Sequence, residues 1–238
     1  MKQILLKCLN FIFPITCVEC GNDLPCDDYY RICESCVSKI KMIDGHYCKK
    51  CGLDLPDGGE HCFNCAGKTK HYFESLRAAC VYKDTARNLV HKLKYGGREY
   101  LDRIIGQLTW NAIAGRGLEN EIDLILFVPM HGIKEYWRGY NQAELIAKKI
   151  SGYMNKPLLK GLVRKKITKA QFKLNKEERV KNVKGCFGFK EELESRIKGK
   201  NLLLVDDVCT TCSTVDECSK VLRRAGAAKV YALTFARD

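Results

Sequence analysis

Two groupings of residues in this 238-residue sequence have the types and spacing to do chemistry. The first lies near the C-terminal end. Asp206 and Asp207 follow the apolar run Leu202-Leu203-Leu204-Val205 and precede Thr210, Thr211, Cys212, Ser213 and Thr214. The order reads as a buried strand ending in two carboxylates, then a hydroxyl-rich turn, then a helix. In open α/β sheets ligands bind beyond the carboxyl ends of the strands. A helix N-terminus offers unpaired N–H groups and partial positive charge to an anion. The turn and its hydroxyls therefore suit a phosphate monoester. Asp206 and Asp207 stand where they can accept hydrogen bonds from sugar hydroxyls. A helix cap with two solvated aspartates is the plainer reading, and the complete strand–DD–TT–helix order argues against it.

The second grouping is a set of thiols. Of 15 cysteines, ten fall in the first 65 residues, and eight of these form the pairs Cys17/Cys20, Cys33/Cys36, Cys48/Cys51 and Cys62/Cys65. Two residues between cysteines let a tight turn aim both sulfurs at one ion, and two such pairs complete a closed tetrahedral zinc site. An internal repeat, C-x-x-C-G-x-D-L-P, begins at Cys17 and again at Cys48. The duplication points to two structural Zn²⁺ ions, each bound within its own repeat; interleaved pairing is the alternative. His46 and His61 neighbour the ligands but are read as bystanders, since four sulfurs already fill each ion. A secreted disulfide framework fits these short pairs less well than a metal in a reducing cytoplasm.

The N-terminal stretch places Ile4, Leu5, Cys8, Leu9, Ile12 and Phe13 on one helical face, with Lys7 interrupting the apolar run. It reads as a packed amphipathic helix rather than a signal peptide or a membrane span. The formal charge is +13. Eight thiolates around two zinc ions would add roughly −4, and the remaining excess suits an anionic partner.

These positions need elements to hold them. The sequence predicts a zinc module over residues 1–68 and an α/β domain over 69–238, joined through the polar stretch AGKTKHYF. Strands are expected at 74–82, 122–129, from Asn201 through the two aspartates, and at 229–237. A helix capped by Asp84 should end at Tyr95-Gly96-Gly97, and another should run over about 99–114. A third carries Ala143, Ile146, Ala147 and Ile150 on one face, and a fourth begins at Ser213 and stops at Gly226. Strands alternating with helices imply a parallel, doubly wound sheet.

The DD turn resembles the phosphoribosyl-pyrophosphate loop of type I phosphoribosyltransferases. The chain as a whole resembles the ComF family of competence-associated proteins. That likeness rests on the cysteine pairs, on His91-Lys92-Leu93-Lys94-Tyr95-Gly96 and Val128-Pro129-Met130-His131, and on Arg138-Gly139-Tyr140-Asn141-Gln142. It continues through Gln171, Glu178-Arg179 and Asn182 to the DD turn. The resemblance implies a type I phosphoribosyltransferase-like parallel sheet flanked by helices, behind a double zinc ribbon. It implies phosphoribosyl pyrophosphate bound with Mg²⁺. Asp206 and Asp207 would take the ribose hydroxyls, and residues 210–214 the 5′-phosphate. Lys94 and Arg138, with His131 close by, would lie on the pyrophosphate side. It implies a cytoplasmic role in DNA uptake, with single-stranded DNA and a helicase-like protein as partners.

One position departs from the family pattern: Cys212 stands where glycine is usual after the two threonines. A side chain there should crowd the phosphate and resist positive φ. Cys209-x-x-Cys212 is also a fifth CxxC, either a redox pair or a coincidence in a cysteine-rich chain. His131 reads equally as a proton carrier or as a structural hydrogen-bonding residue. The segment 164–184 holds nine basic residues, Lys165, Lys166, Lys169 and Lys173 among them, two acidic ones, and Phe172. It reads as a lid over pyrophosphate, a track for a nucleic-acid backbone, or a solvated helix.

Two functions from different classes follow. One is transfer of ribose 5-phosphate to an acceptor. The other is non-catalytic binding of single-stranded DNA on the same fold. The cysteine count makes its own prediction. Protein purified without chelator should carry two zinc ions per chain by metal analysis, and a stoichiometry near zero would contradict the ribbon reading.

Overall fold

The computed structural model describes residues 14–67, 70–166 and 176–238. Its strands are β1 (Leu76–Val81), β2 (Leu124–Phe127), β3 (Leu162–Arg164), β4 (Phe187–Phe189), β5 (Asn201–Cys209) and β6 (Lys229–Arg237). Four of them form one parallel sheet in the order β1-β6-β5-β2. β3 and β4 pair separately as an antiparallel ribbon. The short helices α1 (Glu34–Val37) and α2 (Phe63–Ala66) lie in the cysteine-rich part. Around the sheet run α3 (Asp84–Tyr95), α4 (Asp102–Asn111), α5 (Leu118–Glu121), α6 (Gly132–Arg138) and α7 (Gln142–Met154). They are followed by α8 (Lys176–Val183), α9 (Glu194–Ile197) and α10 (Ser213–Arg224).

A parallel strand buried on both faces needs apolar residues in unbroken series, and Leu202 to Val205 supply them. Successive side chains on a strand point to opposite faces. Leu203 and Val205 accordingly pack with Leu89 and Leu93 of α3, Ile105 of α4 and Ile146 of α7. Leu202 and Leu204 pack with Val215, Cys218 and Leu222 of α10.

The cysteine-rich part straddles the sheet. Residues 41–43 run antiparallel to β1, with Ile43 N donating to Ala79 O at 2.9 Å and Val81 N to Lys41 O at 2.9 Å. They occupy a sheet edge that would otherwise expose unpaired backbone groups. The first ribbon puts Cys17, Cys36 and Ile40 on the α3/α4/α7 face. The second puts Cys48, Cys51 and Cys62 on the α10 face.

Several expected boundaries move. Asp84 is the first helical residue of α3 rather than its cap: Lys83 holds the cap position without a side-chain bond. The second helix starts as a 3-10 turn at Glu99–Leu101 and ends at Asn111, short of 114. β5 does not stop at the aspartates but pairs with β6 as far as Cys209↔Arg237. The polar stretch before β1 ends in the core: Phe73 is buried, His71 stacks on it at 4.6 Å, and Tyr72 N donates to Asp216 Oδ1 at 2.7 Å. The expected helix over 4–13 lies outside the described residues, as does the joint at 68–69. Among the described residues, no helix is long and apolar enough to cross a membrane.

Buried Arg77 fastens the sheet to the cysteine-rich part. Its Nη2 donates to Ile43 O at 2.5 Å, its Nε to Ala112 O at 3.3 Å, and its guanidinium lies 3.6 Å from the Tyr47 ring centroid. Arg77→Ala should destabilise the protein by roughly 2–4 kcal/mol, because it removes charged hydrogen bonds and a cation–π interaction together. A denaturant titration of the zinc-loaded protein reads this, and a change below about 0.5 kcal/mol would show that the fastening is not needed.

Candidate functional site

Beyond the carboxyl end of β2 and alongside the last residues of β5 lies a cleft of about 640 Å³. Asp206 and Asp207 form part of its wall with Thr214, while Lys94, Lys134, Arg138 and Arg164 supply cations from other segments. Each is placed by identifiable packing. α3 buries Leu89, Val90 and Leu93 on the sheet, which brings Lys94, in its last turn, over the end of β5. Lys94 Nζ stands 2.6 Å from Asp207 Oδ2. Burial works against the lysine's charge, but Asp207 outweighs it and holds the ammonium above its usual range.

The segment Arg138-Gly139-Tyr140-Asn141-Gln142 builds the facing wall. Gly139 takes φ +86°, a left-handed conformation natural to glycine, and closes α6. Tyr140 Oη donates to Leu93 O at 2.6 Å, satisfying the end of α3. Asn141 Oδ1 accepts from Ala143 N at 3.0 Å to cap α7, and its Nδ2 donates to Val128 O at 3.0 Å, just past β2. Arg138 Nη1 donates to Gln142 Oε1 at 2.6 Å, and its guanidinium lies 5.1 Å from the Tyr95 ring centroid.

The electrostatics are lopsided. Burial, then Arg164 and Arg138 nearby, hold the Lys134 ammonium below its usual range, the mark of cations gathered without enough anions. Burial pushes the Asp206 carboxyl up to about 8, with the adjacent Asp207 charge adding to it. Asp207 N donates to Asp206 Oδ1 and Val208 N to Asp207 Oδ1, both at 2.8 Å.

In the turn, Thr211 Oγ1 and Ser213 Oγ lie 2.8 Å apart at the start of α10. Cys212 adopts the left-handed conformation despite its side chain, at φ +62°. Its sulfur does not crowd the cradle as the sequence suggested: it is buried, 3.3 Å from Cys209 Sγ. His131 caps α6, its Nδ1 accepting from Ile133 N at 3.3 Å.

Both cysteine sets assemble within their own repeats: Cys17, Cys20, Cys33 and Cys36 in one, Cys48, Cys51, Cys62 and Cys65 in the other. In each set the four sulfurs lie within 4.8 Å of one another. Cys20–Cys33 and Cys51–Cys62 are 3.7 Å apart, close to the edge of a tetrahedron with Zn–S bonds of about 2.3 Å. Both sets fit structural zinc. Cys33 and Cys62 cap α1 and α2, so each last pair shares one helical turn. His46 and His61 belong to neither set.

Arg164, the first residue of the basic segment 164–184, joins the cleft from β3. The structure adds Lys134 from α6, which sequence reasoning passed over. Tyr136 and Trp137 of α6 are 83% and 82% exposed, their ring centroids 6.1 Å apart. Their signal was an aromatic pair between two cations, Lys134 and Arg138. Gln171, Phe172, Lys169 and Lys173 lie outside the described residues.

Fold and site together define a class: a parallel α/β protein with a carboxylate pair on β5 just past its pairing with β2, and a double zinc ribbon on its sheet edge. Residues 8–66 match the family model for a double zinc ribbon domain. The chain is 29% identical to competence protein F of Haemophilus influenzae over 233 residues, 96% of this chain and 99% of that one. It is 29% identical to DNA utilization protein YhgH of Escherichia coli K12, over 85% of this chain and 88% of that one. Competence protein ComFC of Bacillus subtilis matches at 26%, over 87% and 85%. Along most of its length the chain is thus similar to these competence and DNA-utilization proteins. Similar solved structures include an allosteric regulatory enzyme of purine biosynthesis, with TM-score 0.37, 19% identity, and coverage of 56% of this chain and 25% of that one. A purine phosphoribosyltransferase from Pyrococcus horikoshii gives TM-score 0.33 and 18% identity, over 57% and 84%.

The Asp206 shift makes a prediction. An unfolded aspartate titrates near 3.9, so between about pH 4 and about pH 8 the folded chain holds a proton that the unfolded chain has lost. The stability from this group is complete at the low end and is lost as pH rises through about 8. Unfolding free energy should therefore fall across this window in the wild type relative to Asp206→Asn. Parallel curves would mean that Asp206 titrates normally.

Proposed function

We propose that the cleft binds phosphoribosyl pyrophosphate with Mg²⁺ and transfers ribose 5-phosphate to an acceptor, releasing pyrophosphate. The observation that carries this reading is the carboxylate pair near the carboxyl end of β5, just past its pairing with β2, facing a cation-lined cleft and followed by a hydroxyl turn at a helix N-terminus. Asp206 and Asp207 would accept hydrogen bonds from the ribose hydroxyls. Thr210, Thr211, Ser213 and Thr214, with the first N–H groups of α10, would hold the 5′-phosphate, and Cys212 would contribute its backbone alone. Lys94, Arg138, Lys134 and Arg164 would face the diphosphate. Mg²⁺ prefers oxygen ligands and commonly takes one or two carboxylates with substrate phosphates, which this cleft can offer. The chain's own part is positioning and charge stabilisation around a developing positive sugar carbon. His131 serves as a cap in this reading rather than as a proton carrier. The chemistry is assigned to residues 69–238 and the ribbons to residues 1–68. A reducing cytoplasm suits both the thiols and the ligand.

A second reading is favoured by Tyr136 and Trp137. Exposed aromatic rings beside cations make a stacking platform for unpaired bases, so single-stranded DNA would lie across α6 with its phosphates toward Lys134 and Arg138. The competence and DNA-utilization names belong to the relatives and accord with this reading.

Calorimetry with phosphoribosyl pyrophosphate and Mg²⁺ tests the first reading. Asp206→Asn with Asp207→Asn should cost roughly 3–6 kcal/mol of binding, beyond a hundredfold in affinity. Unchanged affinity would remove the carboxylates from the site. Anisotropy with a labelled oligonucleotide at several salt concentrations tests the second. Tyr136→Ala with Trp137→Ala should weaken binding by about 1–3 kcal/mol per base unstacked, while leaving phosphoribosyl pyrophosphate affinity intact.

A further inference from the structure

Six described cysteines lie outside the two zinc sets, and two of them face each other: Cys209 and Cys212, Sγ to Sγ 3.3 Å. The others have separate surroundings; Cys80, for example, donates to Phe235 O at 3.3 Å and Cys186 to Asn182 O at 3.2 Å. The facing pair brackets Thr210 and Thr211, the hydroxyl residues of the turn. The geometry is set from both ends. Cys209 is the last residue of β5, paired with Arg237 of β6. Cys212 takes φ +62° and thereby turns its sulfur back toward the strand. Arg237 fixes the turn between them, donating through Nη1 to Cys209 O at 3.1 Å and also to Thr210 O. The same guanidinium reaches the second ribbon, with Nε donating to Cys51 O at 3.1 Å. The Cys212 thiol also hydrogen-bonds the Cys51 thiol, but Cys51 belongs to a four-sulfur set that is complete without Cys212.

We propose that Cys209 and Cys212 form a reversible dithiol–disulfide couple, a redox-modification site built into the turn at the start of α10. The co-reactant is a low-molecular-weight disulfide. One protein thiolate attacks a sulfur of that disulfide, forming a mixed disulfide and releasing one small thiolate. The second protein sulfur, its proton passing to solvent, then attacks the first and expels the other small thiol. The protein dithiol is oxidised by two electrons and the small disulfide is reduced to two thiols. Bond formation needs the sulfurs to close to about 2.05 Å, an approach of roughly 1 Å within a turn already bent for it. Both sulfurs are buried, their residues 3% and 4% exposed, so the reaction proceeds when the half-exposed threonines swing open. Closing the bond draws in Cys212, the residue before Ser213, and disturbs the Thr211–Ser213 hydrogen bond. On the phosphate reading given above, the oxidised turn should bind a phosphate ester at least fivefold more weakly.

The test uses the full zinc-loaded chain in glutathione buffers of rising oxidised fraction, with acid quench, alkylation and peptide mass spectrometry. The expected result is a Cys209–Cys212 link, two hydrogens lighter, formed while zinc content stays at two and the ribbon cysteines stay reduced. Cys209→Ser and Cys212→Gly, each shown folded by circular dichroism, should lose it, and dithiothreitol should reverse it. Alkylation of both thiols at every ratio up to zinc release would overturn the proposal. So would a link from either to Cys51, or protection that disappears with a chelator, since the pair would then be a metal ligand. Ribose 5-phosphate titration of both forms is a separate arm. A link that forms without changing that affinity upholds the couple and removes the turn from the phosphate site.

Discussion

Two neighbouring carboxylates held near the carboxyl end of one buried strand set the terms for the rest of this protein. Side by side on β5, Asp206 and Asp207 repel each other and have shed much of their water. One ammonium, Lys94, compensates Asp207 at 2.6 Å; burial and the neighbouring Asp207 charge push the Asp206 carboxyl up to about 8. Removing one partner from such a pair leaves an uncompensated buried charge, the expensive outcome. The proposed ligand, which offers hydroxyls to carboxylates and negative charge to cations, would relieve both imbalances.

The rest of the domain serves that arrangement. α3 must lie flat on the sheet for Lys94 to reach over, and its C-terminal end is tied by Tyr140 Oη to Leu93 O. The same five-residue segment caps α7, anchors the end of β2 and tethers Arg138 to Gln142. Much of what looks like a ligand-binding signature in that segment is scaffolding, even where Arg138, Asn141 and Gln142 also line the cleft.

The zinc ribbons extend this logic to the far edge of the sheet. Neither ribbon has enough apolar mass to fold on a core of its own, so each depends on metal cross-linking and on the sheet. Residues 41–43 close the β1 edge, and one ribbon lies on each face. Arg237 ties the second ribbon to the DD turn by bonding both to the Cys51 carbonyl and to the carbonyls of Cys209 and Thr210. Metal site and turn are consequently parts of one packed unit, joined through a buried guanidinium.

Local chemistry in the sequence determined a good deal. CxxC spacing and the C-x-x-C-G-x-D-L-P repeat specified two four-sulfur sets, because short turns constrain sulfurs locally. Apolar runs such as Leu202 to Val205 specified buried parallel strands, because only a two-sided core accepts them. Tertiary structure decided what depends on residues distant in the chain. It extended β5 past the aspartates, since β6 offers hydrogen bonds as far as Arg237. It placed Phe73 in the core at the end of a stretch that reads as polar linker. It wrapped the ribbons around the β1 edge, brought Lys134 and Arg164 beside Arg138, and left Tyr136 and Trp137 in solvent. It also turned the Cys212 sulfur toward Cys209 and away from the cradle. Sequence spacing reports which groups a single turn or helix can align; which groups meet across a sheet depends on strand order and helix packing, and those emerge only when the whole core closes.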